Sequence, residues 1–281
     1  MKNILLPTDF SENSWNAIKY AIQFFKHEQC TFHLFNAYTP PVYDFTYMLL
    51  DSPAQFGIQD PVREISKEQL SQLHVRILNE LGINTNHKFE TIARFDTLIS
   101  GIHELIEERQ IDLIIMGTKG ATGAKTILFG SNTVQVFKDV KCPIMAIPSG
   151  FEYVTPHDIL FPTDFNRAYT NKEINMLTNI SRMFDAHIYI MHINLKDDLS
   201  EVQQNNMRHL QNHFTNVEHT FHWMDKTDTK SEEINEFVDE FKINLLVMVN
   251  YKHSFIESII KEPVIKKIGF KPTVPFLVIP E

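Results

Sequence analysis

Apolar residues along this chain follow two alternating rhythms. Short continuous runs, such as Asn3–Leu6 and Thr31–Tyr38, are separated by a stretch from Ser11 or Glu12 to His27 in which Trp15, Ile18, Ala21 and Ile22 recur at three- and four-residue spacing. The runs predict strands and the spaced stretch a helix with one buried face. The alternation continues. A helix is expected from about Val62 to Leu81, ending at the C-cap glycine Gly82. After it come a strand near Phe89–Ala93, a helix over Thr97–Arg109, a strand over Ile111–Met116, a helix from Ser131 to about Lys138, and a strand over Ile144–Ile147. Strands alternating with helices predict βαβ units and a mostly parallel sheet.

The pattern then repeats. ILLPTDF at Ile4–Phe10 returns as ILFPTDF at Ile159–Phe165, so that Pro7 and Pro162 stand 155 residues apart. DLIIMG and CPIMAIP return as NLLVMV and VPFLVIP, with Pro143 and Pro275 only 132 residues apart. The chain is therefore a duplication whose second copy is 23 residues shorter in its middle. Strands near Asp158–Phe161, His187–Ile193, Glu218–Trp223, Asn244–Val249 and Phe276–Ile279 make up the second copy. The expected architecture is α/β, with two tandem doubly wound domains, each a parallel five-stranded sheet, over residues 1–149 and 157–281 and joined through SGFEYVTP. At roughly 150 residues per domain, 281 residues suit two. Much of the difference between the copies lies in Thr39–Pro61, whose prolines and aromatics (Tyr43, Phe45, Tyr47, Phe56) suit either a lid or a surface excursion folding back on its own domain.

Composition narrows the function classes. Lys+Arg 26 against Asp+Glu 35 gives a net charge of −9 with no block of like charge, which argues against nucleic acid or an anionic membrane as partner. The N-terminus meets Pro7 and Asp9 before a signal-peptide core develops, and no apolar run approaches the ~18 residues of a membrane helix. Cys30 and Cys142 form neither a disulfide framework nor a metal motif, and a cytoplasmic location is the simplest expectation. Eight of the 13 histidines lie from His157 onward. His209 and His213 can share a helix face, but His219 and His222 fall on opposite faces of a strand, so convergence on a metal is not expected. No nucleophilic triad can be assembled, and no catalytic residue is assigned.

Glycine is scarce and clustered. Nine occur, and four of them, Gly117, Gly120, Gly123 and Gly130, fall in one window just after the Ile111–Met116 strand. In doubly wound sheets ligands sit beyond the carboxyl ends of the strands where the connection order reverses. That crevice would be lined by Pro7, Thr8 and Asp9 on one side and by Met116 onward on the other. Glycines let backbone amides approach an anion, and a helix beginning near Ser131 would aim free N–H groups at phosphate. A Walker A loop does not fit, since Lys119 and Ala124 occupy its glycine positions, and GxGxxG fails because two residues separate Gly117 from Gly120. The pattern present is Gly-x2-Gly-x9-Gly-Ser.

With PTDF after the first strand and CPIMAIP at the end, this pattern resembles the universal stress protein family in a tandem, two-domain form, and the resemblance covers nearly the whole chain. It implies that Pro7, Thr8 and Asp9 lie near adenine and ribose, and that the Ala37 backbone contacts adenine. It also implies that Met116, Gly117, Lys119 and Gly120 wrap ribose and phosphate, and that Gly130, Ser131 and Asn132 meet the outer phosphates. The implied ligand is ATP, or ADP or AMP, with Mg²⁺ as a possible companion. The second copy has Val249, Lys252, Glu262 and Pro263 where the first has Gly117, Gly120, Gly130 and Ser131. A valine side chain and a carboxylate oppose phosphate there, so one nucleotide site is expected. Asp9 has a second reading as a helix-capping carboxylate, which the retention of Asp164 supports.

The implied function is a nucleotide-dependent regulator of the stress response with unidentified protein partners, non-catalytic or slowly hydrolysing. The last strands of the copies are expected to pair as an intrachain pseudo-dimer, and two chains can pair further as a homodimer. The alternatives are an ATPase or phosphotransferase and a nucleotide-independent interaction module.

Overall fold

The structure is a computed structural model that describes residues 1–38, 61–119, 129–194, 199–225, 230–251 and 273–281. The Pro- and aromatic-rich stretch after Tyr38, Gly120, Gly123 and the counterpart residues Lys252, Glu262 and Pro263 lie outside the described residues. The first repeat contains β1 (Lys2–Pro7), α1 (Glu12–Phe24), β2 (Cys30–Tyr38), α2 (Pro61–Leu81), β3 (His87–Phe95), α3 (Leu98–Arg109), β4 (Leu113–Gly117), α4 (Ser131–Asp139) and β5 (Ile144–Ile147). The second contains β6 (Asp158–Pro162), α5 (Asn171–Phe184), β7 (His187–Asn194), α6 (Glu201–His213), β8 (His219–Asp225), α7 (Lys230–Glu240), β9 (Leu245–Asn250) and β10 (Phe276–Pro280). None of the described helices is long and apolar enough to cross a membrane.

The fold is the expected α/β arrangement, but its ten strands form one continuous sheet in the order β3-β2-β1-β4-β5-β10-β9-β6-β7-β8. Neighbours are parallel except at the junction, where β5 and β10 pair antiparallel through Ala146 with Phe276, Met145 with Leu277 and Ile144 with Val278. Each copy alone would leave its last strand as an apolar edge, and this pairing removes both edges. It also relates the copies by an approximate two-fold axis through the sheet. Helices α1, α2, α5 and α6 therefore share one face, and α3, α4 and α7 the other. The carboxyl ends of the two sets of strands point to opposite edges. Ring contacts Phe24–Phe184 and Phe129–Phe276 cross the junction. Central strands are covered on both faces, with Ile4, Leu5 and Leu6 fully buried, which is why they read as unbroken apolar runs.

Boundaries differ where local bonds override the pattern. The stretch expected to be helical to His27 stops at Phe24, because after the last helical bond, from the Phe25 N–H to Ala21 O, the Lys26 N–H turns back only three residues to Gln23 O and a short turn delivers Cys30 to β2. The strand read from Ile111 begins at Leu113, since the Ile111 N–H still bonds to Ile106 at the end of α3. Edge strand β3 extends beyond its apolar centre because its polar ends face solvent while its backbone pairs with all of β2.

Candidate functional site

Strand β1 pairs with β2 on one side and with β4 on the other, so the connection order reverses between β1 and β4. At the carboxyl end of β1, Pro7 leads into a tight turn. The buried Thr8 donates its N–H to Phe35 O at 2.8 Å, and its Oγ1 accepts the Phe10 N–H at 3.0 Å. Phe10 takes a left-handed φ of 62° as the chain reverses. The exposed Asp9 accepts the Ser11 N–H (3.1 Å) and hydroxyl (2.6 Å) on Oδ1, and the Ser11 hydroxyl in turn caps α1 by accepting the Ser14 N–H at 3.2 Å. Ser11 is therefore the helix cap, and Asp9 positions it. Buried Asn36 on β2 donates to Thr8 O at 2.8 Å and accepts from Ser66 of α2 at 2.7 Å. Asn36, Ser14 and Ser66 escaped the sequence reading, since isolated polar residues in an apolar strand or helix carry no motif. Ala37, half-buried and one residue beyond Asn36, lies at the same edge, paired with Arg94 of β3.

On the other side of the reversal, Met116 and Gly117 end β4, both buried. The Thr118 N–H bonds to Ile147 O, and the chain returns so that the Gly130 N–H bonds to Thr118 O at 2.7 Å. The buried Thr133 hydroxyl donates to Gly117 O (3.1 Å) and lies within reach of Thr118 O (3.3 Å), tying the first turn of α4 to the end of β4. Gly130 is the N-cap of α4 and has no side chain to bond its orphan N–H groups, whereas Ser11, Thr97, Thr170 and Ser200 each accept such a bond at their helices. Ser131 and Asn132 form the exposed start of that helix, and Lys119 is half-buried beside Thr118.

Gly117 has a requirement the sequence did not reveal. A Cβ there would stand 3.0 Å from Asn13 O and 3.3 Å from Asn13 C, so the close approach needed at this glycine is that of the α1 backbone.

The second copy rebuilds the turn and places a tyrosine against it. Thr163 N–H bonds to Met191 O, Phe165 takes φ of 53°, and Asp164 Oδ1 accepts the Asn166 N–H. His192 bonds to Thr163 O at 2.9 Å, where Asn36 serves in the first copy. Tyr251, however, occupies the counterpart of Lys119. Its hydroxyl donates to Asp164 Oδ1 at 2.6 Å, and the Arg167 guanidinium lies 4.6 Å from its ring centre. Burial and that carboxylate push the phenol well above its ordinary range. The α5 cap, Thr170, lies seven residues beyond Thr163, whereas Ser11 lies three beyond Thr8, and Val249, the counterpart of Gly117, is buried.

The model of the Universal stress protein family matches residues 1–148. The chain belongs to the universal stress protein family. Two universal stress proteins of Methanocaldococcus jannaschii are 30% identical over 146 residues and 31% identical over 157, each covering 52% of this chain and 81% and 94% of their own lengths. The crystal structure of a universal stress protein from Archaeoglobus fulgidus shares the fold over 99% of this chain and 96% of its own, with a TM-score of 0.62 and 18% identity. A further member, 19% identical and covering 53% of this chain and 98% of its own (TM-score 0.38), has been solved in complex with cAMP.

Proposed function

We propose that this universal stress protein binds one adenine nucleotide per chain, ATP, ADP or AMP, in the crevice between β1 and β4, and acts through nucleotide-dependent contact with partner proteins. The observation that carries this reading is the start of α4. A helix N-terminus opened by glycine, with no side-chain cap, follows β4, and the Thr8–Asp9 turn follows its parallel neighbour β1, so both lie at the edge where the strand order reverses. Its N–H groups and positive dipole end suit phosphate, with Ser131, Asn132 and Lys119 adding polar contacts. Asp9, Pro7, Thr8 and Ala37 would border the nucleoside, and Met116, Gly117, Gly120 and Gly130 the phosphate loop. Mg²⁺, where present, would offset polyphosphate charge.

The second crevice is assigned no nucleotide, because Tyr251 and Asp164 already satisfy one another across it. Catalysis is not assigned either. Asp9 is the carboxylate on the β1 turn, and its Oδ1 is committed to Ser11, which leaves no acid and base pair placed for phosphoryl transfer among the described residues of this turn.

Isothermal titration of the full chain with ATP and Mg²⁺ tests the proposal. One site per chain and no sustained phosphate release are expected. Absence of saturable binding would leave a nucleotide-independent interaction module, two sites would refute the blocked second crevice, and steady turnover would establish an ATPase.

A further inference from the structure

A cavity of about 770 Å³ opens between the two copies at the sheet edge remote from the proposed nucleotide crevice. Phe24, Phe25, Met176, Ile180 and Met183 supply apolar lining from α1 and α5, and Pro280 and Glu281 border it after β10. The approximate two-fold axis shows what such a groove accommodates. Aligned on their caps, Ser11 and Thr170, the two helices place Ala17, Tyr20 and Phe24 opposite Met176, Asn179 and Met183. The three residues of α1 are buried; Asn179 is exposed and both methionines are half-buried.

The difference is the segment after β5. Pro148 O accepts from Asn16 at 3.3 Å and Ser149 bonds to Asn13, which lays the chain along α1. The rings of Phe151 and Tyr153 then pack edge-on to Tyr20, at 6.1 and 5.3 Å between centroids. After β10 the positions equivalent to Pro148 and Ser149 are Pro280 and Glu281, and the space related to that filled by Phe151 and Tyr153 is the cavity. Asn175, the counterpart of Asn16, lines it.

We propose that this groove docks an extended peptide segment of a partner protein carrying two aromatic residues around an acidic one, as Phe151, Glu152 and Tyr153 do on the related side. Two rings match an apolar floor in which Met176 and Met183 can adjust their shape. Lys2, Lys141 and Lys172 line the cavity and suit the acidic residue, while Asp112, Glu173 and Glu281 balance them in formal charge, so the rings carry affinity and charge sets register. The groove is separate from the nucleotide crevice and the proposal does not depend on it.

The probe is a fluorescein-labelled synthetic peptide, acetyl-Ser-Gly-Phe-Glu-Tyr-Val-Thr-Pro, titrated with the full chain by anisotropy in the absence of nucleotide. Saturable 1:1 binding is expected at or below about 1 mM, the weak end of specific association. A peptide with serine in place of both aromatics should not bind. Asn179→Trp, an exposed change that fills the mouth, and Met176→Lys, which charges the floor, should each weaken binding at least about tenfold without lowering the unfolding temperature. No saturable binding overturns the proposal. So does binding that both variants leave unchanged, which would mean that the peptide displaces the 149–156 segment from its own side.

Discussion

Replacing Gly117 with alanine adds one methyl group at the point where β4 meets the first turn of α1. The new Cβ would stand 3.0 Å from Asn13 O, 3.3 Å from Asn13 C and 3.4 Å from Lys119 O. The nearest of these are backbone atoms of a capped helix, so no flexible side chain can swing aside. Either α1 or the end of β4 must shift by a few tenths of an ångström. Overpacking of this kind costs about 1–3 kcal/mol. The loss of glycine's freedom in the unfolded chain offsets roughly 0.4–1 kcal/mol of that. A net destabilisation of about 0.5–2 kcal/mol follows, a fall in Tm of roughly 1–4 °C for a chain of this size. Because Asn13 lies in the turn that Ser11 caps and Asp9 positions, the shift should also weaken ATP binding. Guanidinium unfolding and ATP titration of the same preparation measure both effects. Unchanged stability with lost ATP affinity would refute the packing argument and show that the glycine serves the ligand directly.

Two further outcomes follow from burial. The thiols of Cys30 and Cys142, both essentially inaccessible, are pushed up to about 11 and about 12 by burial, so neither should react with Ellman's reagent at pH 8 in the folded protein, while both should react in guanidinium; rapid native labelling would contradict the packing around β2 and β5. His33 and His192 titrate below their ordinary range of about 6.5, chiefly because burial disfavours the charged ring. Between the depressed folded value and the unfolded one the unfolded chain binds more protons, so stability should be full above about pH 6.5 and decline as pH falls through that window. His192 lies 5.3 Å from Trp223, centroid to centroid, so tryptophan-detected unfolding should follow this decline, and His192→Gln should reduce its slope; an unaltered slope would assign the effect to other groups.

Several features were legible in the sequence because they are periodic or repeated. The strand and helix order followed from spacing alone, and the duplication from PTDF and the terminal apolar strands. The retained Asp164 pointed to a helix-capping role for Asp9, but Ser11 and Thr170 are the caps; the two aspartates instead hold a turn that both copies build, with Phe10 and Phe165 in the same left-handed conformation. The candidate site was legible as the turn after the first strand and the window after the fourth. Asn36, Ser66 and Thr133 were not, because each acts through a partner distant in sequence. Tyr251 could be aligned with Lys119 by the repeat offset, but nothing in that alignment indicates that its hydroxyl reaches Asp164, 87 residues away.

By itself, the sequence determined which segments become strands and helices, that the unit occurs twice, and that one copy lacks the glycines of the other. These are local properties, set by the spacing of apolar side chains and by the backbone freedom of particular residues. The pairing of the last strands was expected from the repeat, but tertiary structure alone decided its antiparallel register within one continuous sheet, the close approach of the α1 backbone to Gly117, and the reach of Tyr251 to Asp164 in the second crevice. It also decided that the groove covered by Phe151 and Tyr153 on one side has an open counterpart on the other. Each of these depends on distances between atoms far apart in the chain, which the antiparallel pairing of β5 with β10 and the packing of helices on the sheet bring together.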